Sequence, residues 1–201
     1  MQAALAFDLV GEADVNLRDE AVPFSSQLLK WIGSKQRQAP NIIARFPERF
    51  GTYFEPFLGA GGVLGTLAPR VAEASDCFGP LVEIWQMLKS DPNELVHWYA
   101  VRWNMMKLEG KVAAYEYIKS NYNRAANGPD FLFLTRACYG GVIRFRQRDG
   151  YMSTPCGPHE PIPPASFRKR VSEWRERVKG TSFYQRDYRE AFDVMVWTTS
   201  A

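Results

Sequence analysis

The chain has only two histidines, His97 and His159, and three cysteines, Cys77, Cys138 and Cys156, among its 201 residues. An odd number of cysteines without C-x-x-C spacing supplies neither a disulfide framework nor a zinc knuckle, and two separated histidines give no imidazole metal centre. No apolar run approaches the ~18 residues of a membrane span. The N-terminal "MQAALAFDLVGEADVNLRDE" turns acidic after a short apolar start, unlike a signal peptide. The expectation is a cytoplasmic protein with no metal and no membrane contact. With 46% hydrophobic and 23% charged residues, it has enough apolar material for one domain of ordinary size plus a modest insertion.

The net charge of +3 is unevenly distributed. Residues 1–134 carry 13 basic and 15 acidic side chains, whereas residues 135–180 carry 10 and 4. A local excess of this kind suits a polyanionic partner, although on charge alone a solvated basic face is the favoured reading.

Fold signals begin near "SSQLLKWIGSK". "APNIIARF" reads as the end of a short helix and "TYFEPF" as a buried strand, followed by a loop with four glycines, Gly59, Gly61, Gly62 and Gly65. "GVLGTLAPR" is a helix closed by Pro69, "RVAEASD" a second strand ending in Asp76, and "LVEIWQMLKS" a second helix. Strand, glycine loop, helix, strand and helix make the βαβ half of a doubly wound sheet. Asp91, Pro92 and Glu94 form a capping box that starts another helix, and "KVAAYEYIKSNYNRAA" and "FLFLTRACY" continue the helical region. "VIRFRQRDGYMSTP" changes period from 3.6 to 2 with Asp149-Gly150 as a hairpin turn, which predicts Arg144, Arg146 and Arg148 on one face and Ile143 and Phe145 on the other. Cys138 and Met152 read as packing residues. A proline-rich loop, the basic amphipathic helix "RKRVSEWRERVKG" and a third strand in "TSFYQRDY" follow.

A glycine turn between strand and helix lets a ligand touch the backbone. The dinucleotide fingerprint G-x-G-x-x-G fails because Leu64 stands where its last glycine is needed, and Walker A fails because no Gly-Lys-Ser/Thr follows. Glu55 at the entrance would repel a pyrophosphate but suits an amine or sulfonium. Asp76, at the end of the next strand, is placed for ribose hydroxyls. S-adenosylmethionine satisfies both carboxylates, and a tight turn without ligand is the plain alternative.

"LLKWIGSK", "YFEPFLGAGGV", "ASDCFGPLVEIW", "RACYGGVIRF" and "FYQRDYREAF", in that order across residues 26–192, resemble the Dam-type DNA adenine-N6 methyltransferases. The resemblance implies an incomplete α/β, Rossmann-like S-adenosylmethionine-dependent sheet carrying an inserted helical and β-hairpin target-recognition region. Its segments are an N-terminal extension at 1–24, cofactor-binding sequence at 25–90, the insertion at 91–180 and a return strand at 181–201. It assigns cofactor binding to Trp31, Lys35, Glu55, Phe57, Gly59, Gly61, Asp76, Asp187 and Tyr188. Contact with double-stranded DNA falls to Arg136, Tyr139, Gly140, Val142, Arg144, Arg146 and Arg148, with the bases met by Tyr139, Gly140, Val142 and Arg144. For Arg146, Arg148 and the Arg168-Lys169-Arg170 run, phosphate or solvent contact is the favoured reading. Where the family has D-x-N, this chain has Asp76-Cys77-Phe78, so the asparagine contact is missing.

The family's catalytic D-P-P-Y is absent, and no catalytic residue is assigned. The one Asp-Pro is Asp91-Pro92, and Pro163-Pro164 follows Ile162. "VMVWTT", near the position where the family places that motif, is made of strand formers without an acid. The sequence is thus read as a truncated or interrupted member, or a fragment, that pairs with a complementing C-terminal piece or with itself. Two functions follow: adenine-N6 methyl transfer by descent, or a catalytically silent DNA- or cofactor-binding protein.

Overall fold

A computed structural model describes residues 15–198. Its centre is a parallel sheet of β3 (Tyr53–Glu55), β4 (Ala72–Asp76) and β5 (Thr181–Gln185), with β4 in the middle. Tyr53 lies opposite Ala72, and Ala74 opposite Phe183. After the short α1 (Ala39–Ile43), which precedes the sheet, the first crossover is α2 (Gly62–Leu67). The second is long: α3 (Gly79–Ser90), α4 (Pro92–Glu109), α5 (Lys111–Arg124), α6 (Gly128–Ala137), an arginine-bearing hairpin and α7 (Pro164–Arg177) all precede β5. This is the α/β, incomplete Rossmann-like sheet with a large insertion that the sequence predicts. Parallel strands require such crossovers, since a tight turn cannot reverse the chain twice.

The core is aromatic. Trp85 meets Trp174 edge-on at 5.0 Å and stacks on Phe183 at 5.6 Å, which joins α3, α7 and the sheet. Tyr99 of α4 stacks on Phe167 of α7 at 4.3 Å and donates its hydroxyl to Ile162 O at 2.7 Å. Asp91 caps α4 as expected, its Oδ1 accepting from Asn93 N and Glu94 N at 3.0 Å each. The reciprocal half of the box is not made, because the Asp91 amide already donates to Met87 O and is spent on ending α3. α6 begins on Asn127, whose Oδ1 accepts from Asp130 N at 2.8 Å, and the Arg102–Asp130 pair at 2.6 Å ties it to α4.

Three local expectations change. Of the extension at 1–24, residues 1–14 lie outside the described residues, but the remainder is docked. β1 (Asn16–Leu17) pairs antiparallel with β2 (Arg49–Phe50), and the buried Asn16 accepts from Arg70 N and donates to the Gly51 and Val71 carbonyls. The stretch "VMVWTT", expected to be a strand, begins inside α8 (Tyr188–Thr198), while Thr199 falls outside the described residues. Its β-branched residues are overridden by the start signal of the helix, at which Asp187 Oδ1 accepts from Arg189 N at 2.9 Å.

The third change concerns the hairpin, whose stem consists of two isolated bridges, Cys138 with Cys156 and Phe145 with Met152. A side chain interrupts the ladder, with Thr154 Oγ1 accepting from Arg144 N at 2.8 Å, while Asn123 of α5 accepts from Met152 N at 2.7 Å and donates to Met152 O at 3.2 Å on the outer edge of the strand. Such competition by short polar side chains breaks a strand without unfolding it. The turn sits where expected, with Gly150 at φ 66° and Gly150 N donating to Arg146 O at 2.8 Å.

Candidate functional site

The glycine loop begins where β3 ends. Gly59 and Gly61 adopt φ of 48° and 64°, a region costly for a residue with a Cβ. Packing adds a second reason, since a Cβ on Gly61 would lie 2.9 Å from the Trp85 ring. The loop is also tied down by hydrogen bonds. Gly59 N donates to Asp76 Oδ2 at 3.0 Å and Gly59 O accepts from Trp85 Nε1 at 3.1 Å. Asp76 Oδ1 accepts from Phe78 N at 3.0 Å. One carboxylate at the tip of β4 therefore braces two backbones. A carboxylate has about four acceptor sites, so two amides leave room for hydroxyl donors.

Glu55 is oriented inward. Its Oε2 accepts from Tyr53 OH at 3.1 Å and from Leu64 N at 3.0 Å, and thereby serves the first turn of α2, whose own N-cap, Gly61, has no side chain. Part of its surface stays accessible, yet burial pushes the carboxyl up to about 8 against the weaker pull of those two hydrogen bonds. Burial likewise raises the Tyr53 phenol. Near neutral pH Glu55 is therefore mostly protonated and polar rather than a fixed negative charge.

Aromatic side chains surround the loop. Trp31 stacks on Phe78 at 5.4 Å and meets Phe131 edge-on at 5.6 Å, with Gly59 against its ring edge. Phe57, 68% exposed, stacks on Tyr188 at 5.4 Å, so that the loop after β3 and the start of α8 present one aromatic face. Asp187 lies beside it at the start of α8. Lys35 is exposed and donates to Gly33 O at 2.9 Å. The structure thus brings Trp31, Glu55, Gly59, Gly61 and Asp76 into one hydrogen-bonded and packed unit, with Phe57, Tyr188 and Asp187 at the adjoining face of α8.

The hairpin root adjoins this unit. Phe145 lies 5.6 Å from Phe78, and Gly141 has no room for a Cβ because the Lys30 stem occupies that space at 2.6 Å. Tyr139 and Gly140 are exposed in a single 3-10 turn, Tyr139–Gly141, where Gly140 has φ 64°. Val142 and Arg144 are also exposed, and among the described residues Arg144 has no acidic partner. Arg146 lies over the Tyr151 ring at 4.1 Å and pairs with Asp149 at 2.9 Å, and Arg148 reaches the same carboxylate at 3.4 Å. Arg136, expected among the DNA contacts, is turned into the fold. It donates to Gln27 O and Leu28 O at 2.9 Å each, and burial pulls its guanidinium down to about 10.

Sequence reading missed several supports. Tyr53 was legible, being two residues from Glu55 on the same strand face. Trp85 and Gln36 carried no local signal; Gln36 Nε2 donates to Phe24 O and Ser26 O, and its backbone fills the space against Gly62. Phe78 stands where an asparagine was expected, and it has exchanged that polar contact for packing between Trp31 and Phe145. A separate cleft of about 470 Å³, lined by Arg18, Pro23, Pro40, Ile43 and Thr66, includes none of the glycine-loop or hairpin residues.

Comparison with known proteins gives a match to the family model of the D12 class N6 adenine-specific DNA methyltransferases over residues 31–194. The Type II methyltransferase M1.LlaDCHI of Lactococcus lactis subsp. cremoris is 33% identical over 89 residues, covering 44% of this chain and 28% of that protein. A DNA adenine methylase of Vibrio cholerae serotype O1 is 27% identical over 169 residues, covering 82% and 58%. The Type II methyltransferase M.MjaIII of Methanocaldococcus jannaschii is 26% identical over 160 residues, covering 70% and 54%. The chain spans between 28% and 58% of the length of these relatives.

Proposed function

Since the chain belongs to the D12 class N6 adenine-specific DNA methyltransferase family, we propose that it binds S-adenosylmethionine at the glycine loop and double-stranded DNA at the arginine hairpin, as the cofactor and recognition part of an adenine-N6 methyltransferase. The bridge from Asp76 to Gly59 N carries this reading: it fixes a ligand-accessible backbone turn with a carboxylate that still has acceptor sites for ribose hydroxyls. The residues present fit the cofactor. Gly59 offers backbone without a Cβ, Phe57 and Tyr188 offer exposed aromatic surface for an adenine ring, and Glu55 offers a polar acceptor suited to an amino group. When bound, the cofactor supplies an electrophilic methyl group.

On the DNA side, Arg144, the hairpin guanidinium without an acidic partner among the described residues, is the candidate for a base edge, and Arg146 and Arg148 are phosphate contacts already partly neutralised by Asp149. Adenine N6 is a weak nucleophile whose amino hydrogens need acceptors, and the 201 residues contain no D-P-P-Y to provide them. The second reading, binding of cofactor and DNA without transfer, rests on that fact. The domain division 1–24, 25–90, 91–180 and 181–201 follows the same assignment. Incubation with labelled S-adenosylmethionine and diverse duplex DNA separates the two readings. The expected result is binding without appreciable labelling, and labelling once a C-terminal half of a relative is added. Robust labelling by the chain alone would overturn the division of labour, and loss of both binding activities would overturn the proposal.

A further inference from the structure

Cys138 and Cys156 face each other across the root of the hairpin, and the hydrogen bonds define how. Tyr139 N donates to Pro155 O at 2.9 Å and Gly157 N to Ala137 O at 2.8 Å, so the bonds flank the two cysteines. That is the non-hydrogen-bonded type of antiparallel pair, in which the Cα atoms approach to about 4.5 Å and both side chains leave on the same side. Disulfides span Cα separations of about 4.4–6.8 Å. The close approach is built in, since a Cβ on Gly157 would lie 2.6 Å from Cys138 O, so only glycine permits the strands to sit this tightly. Both thiols are free, with Cys138 buried, Cys156 half-buried and the third cysteine, Cys77, exposed elsewhere.

We propose that Cys138 and Cys156 form a redox-modification site, an internal disulfide that closes residues 139–155 into a covalent loop. The co-reactant is a low-molecular-weight disulfide. The accessible Cys156 thiolate attacks one of its sulfurs and expels one thiolate. Cys138, deprotonated, then attacks the Cys156 sulfur of the mixed disulfide and expels the second. The protein loses two hydrogens and is oxidised by two electrons, and the reagent is reduced to two thiols. Burial holds the Cys138 thiol up at about 11 and raises the Cys156 thiol as well, so the exchange is slow at neutral pH and faster in mild alkali. The loop so closed contains Tyr139, Arg144 and Arg146; its relevance to DNA rests on the functional reading above, whereas the cross-link does not.

The test treats the full chain with oxidised glutathione, quenches with acid, and maps cysteines by peptide mass spectrometry. The expected result is a Cys138–Cys156 linked peptide pair, and in Cys77→Ser the titratable thiols in denaturant fall from two to none with no glutathione retained. Cys77→Ser retains the link and Cys156→Ser abolishes it, and circular dichroism verifies that each variant is folded. A stable glutathione adduct on Cys156 beside a free Cys138, or links only through Cys77, overturns the proposal. None of these outcomes depends on whether the chain binds DNA or S-adenosylmethionine, so failure here is distinguishable from failure of the functional reading.

Discussion

Asp76 and Gly59 are joined across the top of the sheet by a 3.0 Å hydrogen bond from backbone amide to carboxylate, which makes the end of β4 responsible for the shape of the turn after β3. Charge-assisted bonds of this type are worth about 1.5–3 kcal/mol. Asp76→Ala removes the brace together with the proposed ribose acceptor. Affinity for S-adenosylmethionine is expected to fall at least tenfold, with a smaller loss in Asp76→Asn, which keeps one acceptor oxygen. Calorimetry on folded variants reads this directly, and an unchanged affinity in Asp76→Ala would discard the ribose assignment.

Glu55 makes stability depend on pH in an uncommon direction. Its carboxyl rises on folding from 4.5 to about 8, so the folded state holds the proton more tightly than the unfolded state does. The resulting stabilisation is complete below about pH 4.5 and is lost as the pH climbs through about 8. Urea midpoints should therefore decline between those limits in the parent chain and decline less in Glu55→Gln, which keeps the neutral form. Parallel pH profiles for the two proteins would contradict the burial of this carboxyl.

The loop glycines should differ from the hairpin glycine. Gly140→Ala meets nothing within 4 Å at φ 64° and bears only the left-handed backbone penalty, about 1–2 kcal/mol. Gly61→Ala bears that penalty and also collides with the Trp85 ring, so its loss in denaturation midpoint should be clearly larger. Equal losses would mean that Trp85 relaxes at no cost.

Arg144 and Arg146 should separate in DNA binding. Arg144→Ala is expected to weaken a preferred sequence by about 1–3 kcal/mol more than random duplex, whereas Arg146→Ala weakens both alike. If the two variants lose equal amounts on both DNAs, Arg144 is a phosphate contact.

What could be read from sequence was whatever a short window determines. The strand, glycine loop and strand around Gly59, the Asp91 cap and the Asp149-Gly150 turn follow from local chemistry, and all three appear in the structure. The misreadings came from hydrogen-bond partners that residue periodicity does not register. Thr154 takes the Arg144 amide out of the hairpin ladder, the Asp187 cap turns a run of strand formers into helix, and Arg136 donates to carbonyls 109 and 108 residues away. Composition located the basic segment correctly but not the direction in which each cation points.

That direction alters how the protein should respond to salt. Of the basic residues in 135–180, Arg136 and Arg170 donate to carbonyls of the segment before Trp31, and Arg177 covers the Phe24 ring. Arg146 and Arg148 share Asp149, and Lys179 pairs with Glu176. Among the described residues, Arg144, Arg168, Lys169 and Arg175 are left exposed without an acidic partner. Each phosphate neutralised on duplex DNA releases condensed counterions and contributes about 0.9 to the logarithmic salt slope. Arg168, Lys169 and Arg175, together with the partly neutralised Arg146 and Arg148, give about three to five phosphate contacts and a slope of roughly −3 to −4.5, against roughly −9 if all ten basic residues of the segment reached the backbone. The guanidinium groups that dominate the charge count serve largely as internal ties, and the ionic footprint expected on DNA is smaller than the net charge of the segment suggests.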